Sequence, residues 1–181
     1  IGISQPGHPD EWKILDAACQ AQIETGLPLC IHPYMGESSR MAPEVARFIL
    51  ARGVDPSRVN LCHMDGHMDL DYQRRILDMG MWISFDTYGL EIVFGEAPDH
   101  NHTAPDVLRQ KHLLALLDLG YGDQLLLSQD VCLKLQLQAY GGYGYSHLLE
   151  NIFPALERRG VEKAVLDGIL IDNPRRYLTI A

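Results

Sequence analysis

Apolar residues recur along the chain in two rhythms. Helical spacing runs through PDEWKILDAACQAQIETG (9–26), APEVARFILARG (42–53), LDYQRRILDMG (70–80), PDVLRQKHLLALLDLG (105–120) and SHLLENIFPALERRG (146–160). Each of these closes on a glycine, a favoured helix stop. A last helix, EKAVLDGIL, runs into DNPRRYL. Between them lie short unbroken apolar runs: LPLCIH (27–32), VNLCH (59–63), MWISFD (81–86) and QLLLSQD (124–130).

The pattern predicts four strands, each followed by a helix. Unbroken apolar strands are covered on both faces, as in the parallel sheet of an α/β fold, and right-handed crossovers set the helices outside. Two architectures satisfy this, a doubly wound open sheet or part of a (β/α)8 barrel. Such a barrel takes ~250 residues, so a chain of 181 supplies about half of one. Two long loops, 89–105 and 131–146, follow strands, and in barrels the loops after strands form the active-site face.

Composition narrows the function classes. The chain is 46% hydrophobic with net charge −9 and no block of Lys or Arg, which argues against nucleic acid or an anionic membrane as partner and favours a small molecule. No stretch approaches the ~20 apolar residues of a membrane span, and IGISQPGHPDEW has neither the basic start nor the apolar core of a signal peptide. The expected location is the cytoplasm. Cys19, Cys30, Cys62 and Cys132 form no C-x-x-C pair; three sit in or beside apolar runs and read as small buried hydrophobes.

The chemistry lies at the strand ends. His32, His63, Asp86 and Asp130 each finish a predicted strand. One such histidine is usually a hydrogen-bonded structural residue, but four in register along one rim reverse that reading. Neutral imidazoles and a carboxylate suit a cation such as Zn²⁺, which lowers the pKa of bound water to ~7. Asp130 is placed to ligate the metal and to accept a proton from the attacking hydroxide. Asp65 and Asp86 are candidates to hold the ligands by hydrogen bonds. No G-x-S-x-G elbow surrounds a serine, and GGYGYS (141–146) lacks the lysine of a phosphate-binding loop. That stretch reads equally as a substrate-lining segment or as a loop ending in Ser146 as a helix cap. His67, His100, His102, His112 and His147 are expected to be solvated or structural, His100 and His102 lying in a polar loop with no strand to fix them.

LPLCIHPY, VNLCHMDG, ISFDTYG, LLLSQDVC and ILIDNPRRYL occur in an order that resembles the phosphotriesterase family of the amidohydrolase superfamily. KLQLQAYGGYGYSHLLENI, PALERRG and ILIDNPRRYLTI most resemble its phosphotriesterase-related subgroup. The resemblance covers essentially the whole chain, but only the second half of the family's barrel. It implies that residues 1–181 are the C-terminal half of a (β/α)8 TIM barrel, strands five to eight with their helices, within a single metal-dependent hydrolase domain whose strands one to four are absent from this sequence. It further implies two divalent metal ions, usually zinc, and a bridging hydroxide that attacks an ester, lactone, phosphotriester or amide. By position, His32 and His63 would hold the more exposed metal, and Asp130 the buried one while accepting the proton. The family's H-x-H pair and its bridging carbamylated lysine or glutamate are not in this sequence, and Ile1–Gly2 resembles the residues just after that bridge. Dimerisation is common in the family, which makes a homodimer the expectation.

The sequence departs from the family after strand seven. Asp86 is followed by Thr87, where phosphotriesterases carry histidine and related lactonases arginine, and Gln129 stands before Asp130 in place of His or Asn. The chemistry therefore transfers better than the substrate. Thr87 and a tyrosine-rich loop containing Tyr140, Tyr143 and Tyr145 sustain a second reading, a barrel that binds a small hydrophobic ligand and keeps its metals as structure. Asp65, Asp86, Thr87, Tyr140 and Tyr143 are the candidates to support the ligands or face the substrate. A third, weaker reading is an open-sheet domain complete at 181 residues.

Overall fold

The structure, a computed structural model, describes residues 1–34, 40–94 and 101–180. The sheet has five parallel strands in the order β1 (Gly2–Ile3), β2 (Leu29–Pro33), β3 (Val59–Leu61), β4 (Trp82–Phe85) and β7 (Leu125–Leu127). Four of these are the expected strands. β1 is an addition, a two-residue edge in register with His32 and Pro33 and too short to show a period in the sequence.

The helices are α1 (Pro9–Thr25), α2 (Ala42–Leu50), α3 (Leu70–Leu77), α4 (Asp106–Asp118), α5 (Phe153–Glu157), α6 (Lys163–Asp167) and α7 (Asn173–Leu178). Their ends follow from local chemistry. At the start of α1, His8 Nδ1 accepts from the Asp10 N–H and Glu11 reaches back to the His8 N–H, with Pro9 leading the first turn, so several otherwise unpaired N–H groups are satisfied. At its end the Gly26 N–H returns to the Gln22 carbonyl. A π-helical segment, Leu148–Ile152, leads into α5, and a second, Gly168–Asp172, joins α6 to α7. Ser146, read as a cap, instead has its hydroxyl bonded by Gln138 Nε2.

The core lies between the helices and one face of the sheet, where Leu29, Ile31, Val59, Leu61, Ile83, Phe85 and Leu125 meet Leu15, Val45, Ile49, Ile76, Leu113 and Leu116. Each such side chain contributes about 1.5–3 kcal/mol by leaving water. Strands covered on both faces were expected, and β4 is buried throughout, but β2 alternates, with Cys30 and His32 exposed between buried Leu29, Ile31 and Pro33. The helices therefore cover one face of β2, and its two chemically active side chains stand on the other. Within this chain Cys19 is buried, Cys62 partly so, and Cys30 and Cys132 are exposed; Cys30 lies on the face of β2 away from the helices, the interior side of the half barrel.

The 89–105 loop contains a small antiparallel ladder, β5 (Val93–Phe94) with β6 (Asn101–His102). The backbone of His102 is thus held in a strand, contrary to the plain loop expected, while His100 lies outside the described residues. Among the described residues no helix is long and apolar enough to cross a membrane.

Candidate functional site

Parallel strands deliver their C-terminal ends to one rim, and the polar strand ends meet there. The rings of His32 and His63 lie 4.4 Å apart, centroid to centroid, at 75°. Asp86 Oδ1 lies 2.8 Å from His63 Nδ1 and also accepts the His63 backbone N–H at 2.9 Å. A carboxylate can only accept, so Nδ1 carries the proton and Nε2 keeps its lone pair. Asp130 is exposed three residues beyond β7, and its charge acts on both imidazoles. Among the described residues only two non-glycine residues have positive φ: His63 at 55° and Asp130 at 43°. That backbone is uncommon outside glycine and concentrates at functional positions.

The electrostatics treat the two imidazoles differently. Partial burial, then the neighbouring His63, hold His32 below the ordinary imidazole range. Burial opposes a charge on His63 too, but the Asp86 hydrogen bond and the charges of Asp86, Asp130 and Asp65 outweigh it and raise its pKa. Burial pushes Asp86 up to about 6 against the pull of His63. Two imidazoles and an exposed carboxylate fit a Zn²⁺-type donor set. They are part of a set: among the described residues no three His, Cys, Asp or Glu side chains converge closely enough to hold a metal ion alone.

Behind the rim lies a buried ionic cluster. Arg109 is fully buried on α4, and each arm of its guanidinium is used: Nε to Asp65 Oδ2 at 2.8 Å, Nη1 to Asp106 Oδ1 at 2.9 Å, and Nη2 to Thr87 Oγ1 at 2.8 Å and the Leu90 carbonyl at 3.2 Å. Thr87 donates through its backbone N–H and hydroxyl to the same Asp65 oxygen, at 3.0 and 2.7 Å. Asp106 also accepts from the Gly89 N–H and meets His147 Nε2 at 2.6 Å. Asp65 and Thr87 are thus wholly buried and face Arg109, while Asp65 Oδ1 has no hydrogen-bond partner among the described residues.

The long loop after β7 is held by Gln136. Its Oε1 accepts from the Cys132 and Leu133 N–H groups at 2.9 and 2.7 Å, and its Nε2 donates to the Asp130 carbonyl at 3.0 Å. Gly142 packs so tightly there that a Cβ would stand 2.2 Å from the Gln136 carbonyl. Gln129 donates to the Tyr145 carbonyl at 2.7 Å. Tyr143 stacks on buried His147 at 4.1 Å, and Gly89 lies against both with φ +80°, where a Cβ would come within 3.0 Å of the His147 ring. Tyr140 is 56% exposed, with Lys134 Nζ 4.4 Å above its ring. His67 bonds Arg40 through Nδ1, and His112 bonds Gln73.

Sequence reasoning passed over Arg109, Asp106 and Gln136. One signal was available for two of them. Asp106, Arg109, Gln110, Leu113 and Leu116 share the buried stripe of α4, so an acid and a base stand at core positions of a helical repeat.

Known proteins share this sequence pattern and fold. Residues 1–178 match the sequence profile of the Phosphotriesterase family. An N-acetyltaurine hydrolase from Salmo salar is 36% identical over 180 residues, 99% of this chain and 51% of that protein. A resiniferatoxin-binding protein from Rhodobacter sphaeroides superposes with a TM-score of 0.91 at 36% identity, covering 100% of this chain and 50% of the other. The phosphotriesterase homology protein of Escherichia coli, solved with phosphate in its active site, gives 0.85 at 33% identity over 99% of this chain and 58% of its own. The chain spans about half the length of the curated relatives it matches, and its parallel sheet corresponds to half of a (β/α)8 barrel. With the profile match and these identities agreeing along nearly every residue, the chain belongs to the phosphotriesterase family.

Proposed function

We propose that the full-length protein is a metal-dependent hydrolase of the phosphotriesterase type, acting on an ester, lactone, phosphotriester or amide. Residues 1–181 form the second half of its barrel, and residues ahead of Ile1 supply the first half with the remaining metal donors. The observation that carries the reading is the close pair of His32 and His63 rings at the strand ends, with His63 and Asp130 both in left-handed backbone. Matches that extend over about half of each relative support the domain assignment.

In this reading a divalent metal, when bound at the rim, would lower the pKa of a bound water to near neutral and would itself polarise the electrophile. His32 would offer a ring nitrogen and His63 its Nε2, and Asp86 fixes the His63 ring through Nδ1. Asp130 accepts the proton from the attacking water. Thr87 offers neither an imidazole nor a positive charge, and its hydroxyl is already committed to Asp65 and Arg109. The salmon relative's name makes the amide of an N-acyl amino sulfonate the first substrate to try.

The test assays metal-loaded full-length protein against N-acetyltaurine, lactones, carboxyl esters and phosphotriesters. Turnover should fall ~10²–10⁴-fold in Asp130→Asn; full turnover in that variant excludes the assigned proton acceptor. A second reading, ligand binding without turnover, is favoured by the Rhodobacter relative's name and by the exposed Tyr140, Tyr143 and Tyr145. Saturable binding with no product would select it.

A further inference from the structure

Beneath the two histidines lies a pair of thiols that the hydrolytic reading does not use. Cys30 on β2 and Cys62, at the end of β3, place their Sγ atoms 3.1 Å apart. The strands are held in register around them, Cys30 opposite Asn60 and the Cys62 N–H bonded to the Ile31 carbonyl at 2.9 Å. Asn60 Nδ2 lies 3.8 Å from Cys30 Sγ and 3.6 Å from Cys62 Sγ, and reciprocal bonds with Ser84 at 2.8 and 3.0 Å fix that amide. Both are free thiols, and Cys30 stands on the face of β2 turned away from the helices, the side that faces the barrel interior.

We propose that Cys30 and Cys62 form a redox-active dithiol that closes to a disulfide on reaction with a hydroperoxide. One thiol, taken as Cys30 Sγ, attacks one oxygen of the hydroperoxide. An S–O bond forms, the O–O bond breaks, and an alcohol or water leaves. Cys62 Sγ then attacks the Cys30 sulfenic sulfur; the S–S bond forms, the S–O bond breaks and water departs. The two cysteines together lose two electrons, which the hydroperoxide gains. Closure needs the sulfurs to approach from 3.1 Å to about 2.05 Å, a movement within reach of side-chain rotation. The cross-link would tie β2 to β3 two residues before His32 and one before His63.

The proposal stands apart from the hydrolase reading and is tested on the full-length protein, metal-loaded and chelated alike. The reduced protein is treated with hydrogen peroxide, remaining thiols are alkylated, and peptides are mapped without reductant. The expected product joins the Cys30 and Cys62 peptides, is two hydrogens lighter than the pair, and separates with dithiothreitol. In Cys62→Ser, Cys30 should accumulate as a sulfenic acid captured by dimedone. Two results in the wild-type protein overturn the proposal: both thiols still open to alkylation after peroxide, or Cys30 carried to sulfinic or sulfonic acid with Cys62 unlinked.

Discussion

Asp86 holds His63 at two points with one oxygen, 2.9 Å from the backbone N–H and 2.8 Å from ring Nδ1. The first contact steadies the left-handed backbone of His63, and the second sets the ring so that Nε2 faces away from the carboxylate. Asp86→Asn keeps the shape but replaces an acceptor-only group with one that also donates. Metal affinity of the full-length protein should fall about 10–100-fold, read by competition with a chromogenic chelator. An unchanged affinity would mean that Asp86 does not orient a ligand.

Arg109 is the centre of the buried cluster, and its loss would leave the Asp65 and Asp106 carboxylates without their cation. Arg109→Ala should destabilise the protein by about 3–5 kcal/mol, because an uncompensated charge in a dry site is costly. Urea unfolding of the full-length protein measures this. A cost below about 1 kcal/mol, the scale of exposed ion pairs, would show that water reaches the cluster.

Glu11 gives a pH signature at α1. Its carboxylate accepts from the Ser4 hydroxyl and from the His8 and Ser4 N–H groups, which lowers its pKa below the ordinary 4.5. A depressed folded-state pKa gives stability that is present above the unfolded value and lost as pH falls through the folded one. The stability gap between wild type and Glu11→Gln should therefore be full above pH 4.5 and shrink in more acid solution. Denaturant midpoints at a series of pH values report it; a gap that widens on acidification contradicts the assignment.

The readable parts of the fold were those written in local chemistry. The α1 range expected from spacing and Gly26 differs from the observed Pro9–Thr25 by one residue, since capping and periodicity act within a turn or two. The four longer strands were legible as apolar runs, and so were their polar ends. β1, β5 and β6 were not, because two residues carry no period. The Arg109 cluster was hidden for another reason: it joins Asp65 to a residue 44 positions away, and only the folded register shows that a charged side chain on α4 has partners waiting. The thiol pair depended likewise on the parallel register that sets Cys30 diagonally against Cys62. Cys30 alternates with Leu29 and Ile31 on β2 and so takes the face opposite the helices.

The central claim is that His32, His63 and Asp130 are metal ligands, and locating the metal tests it most directly. Crystals of the full-length protein, with data collected on both sides of the absorption edge of the metal found by elemental analysis, should show anomalous peaks within about 2.0–2.2 Å of His32 and His63 nitrogens and an Asp130 oxygen. Stoichiometric metal whose anomalous peaks lie away from these three side chains would contradict it.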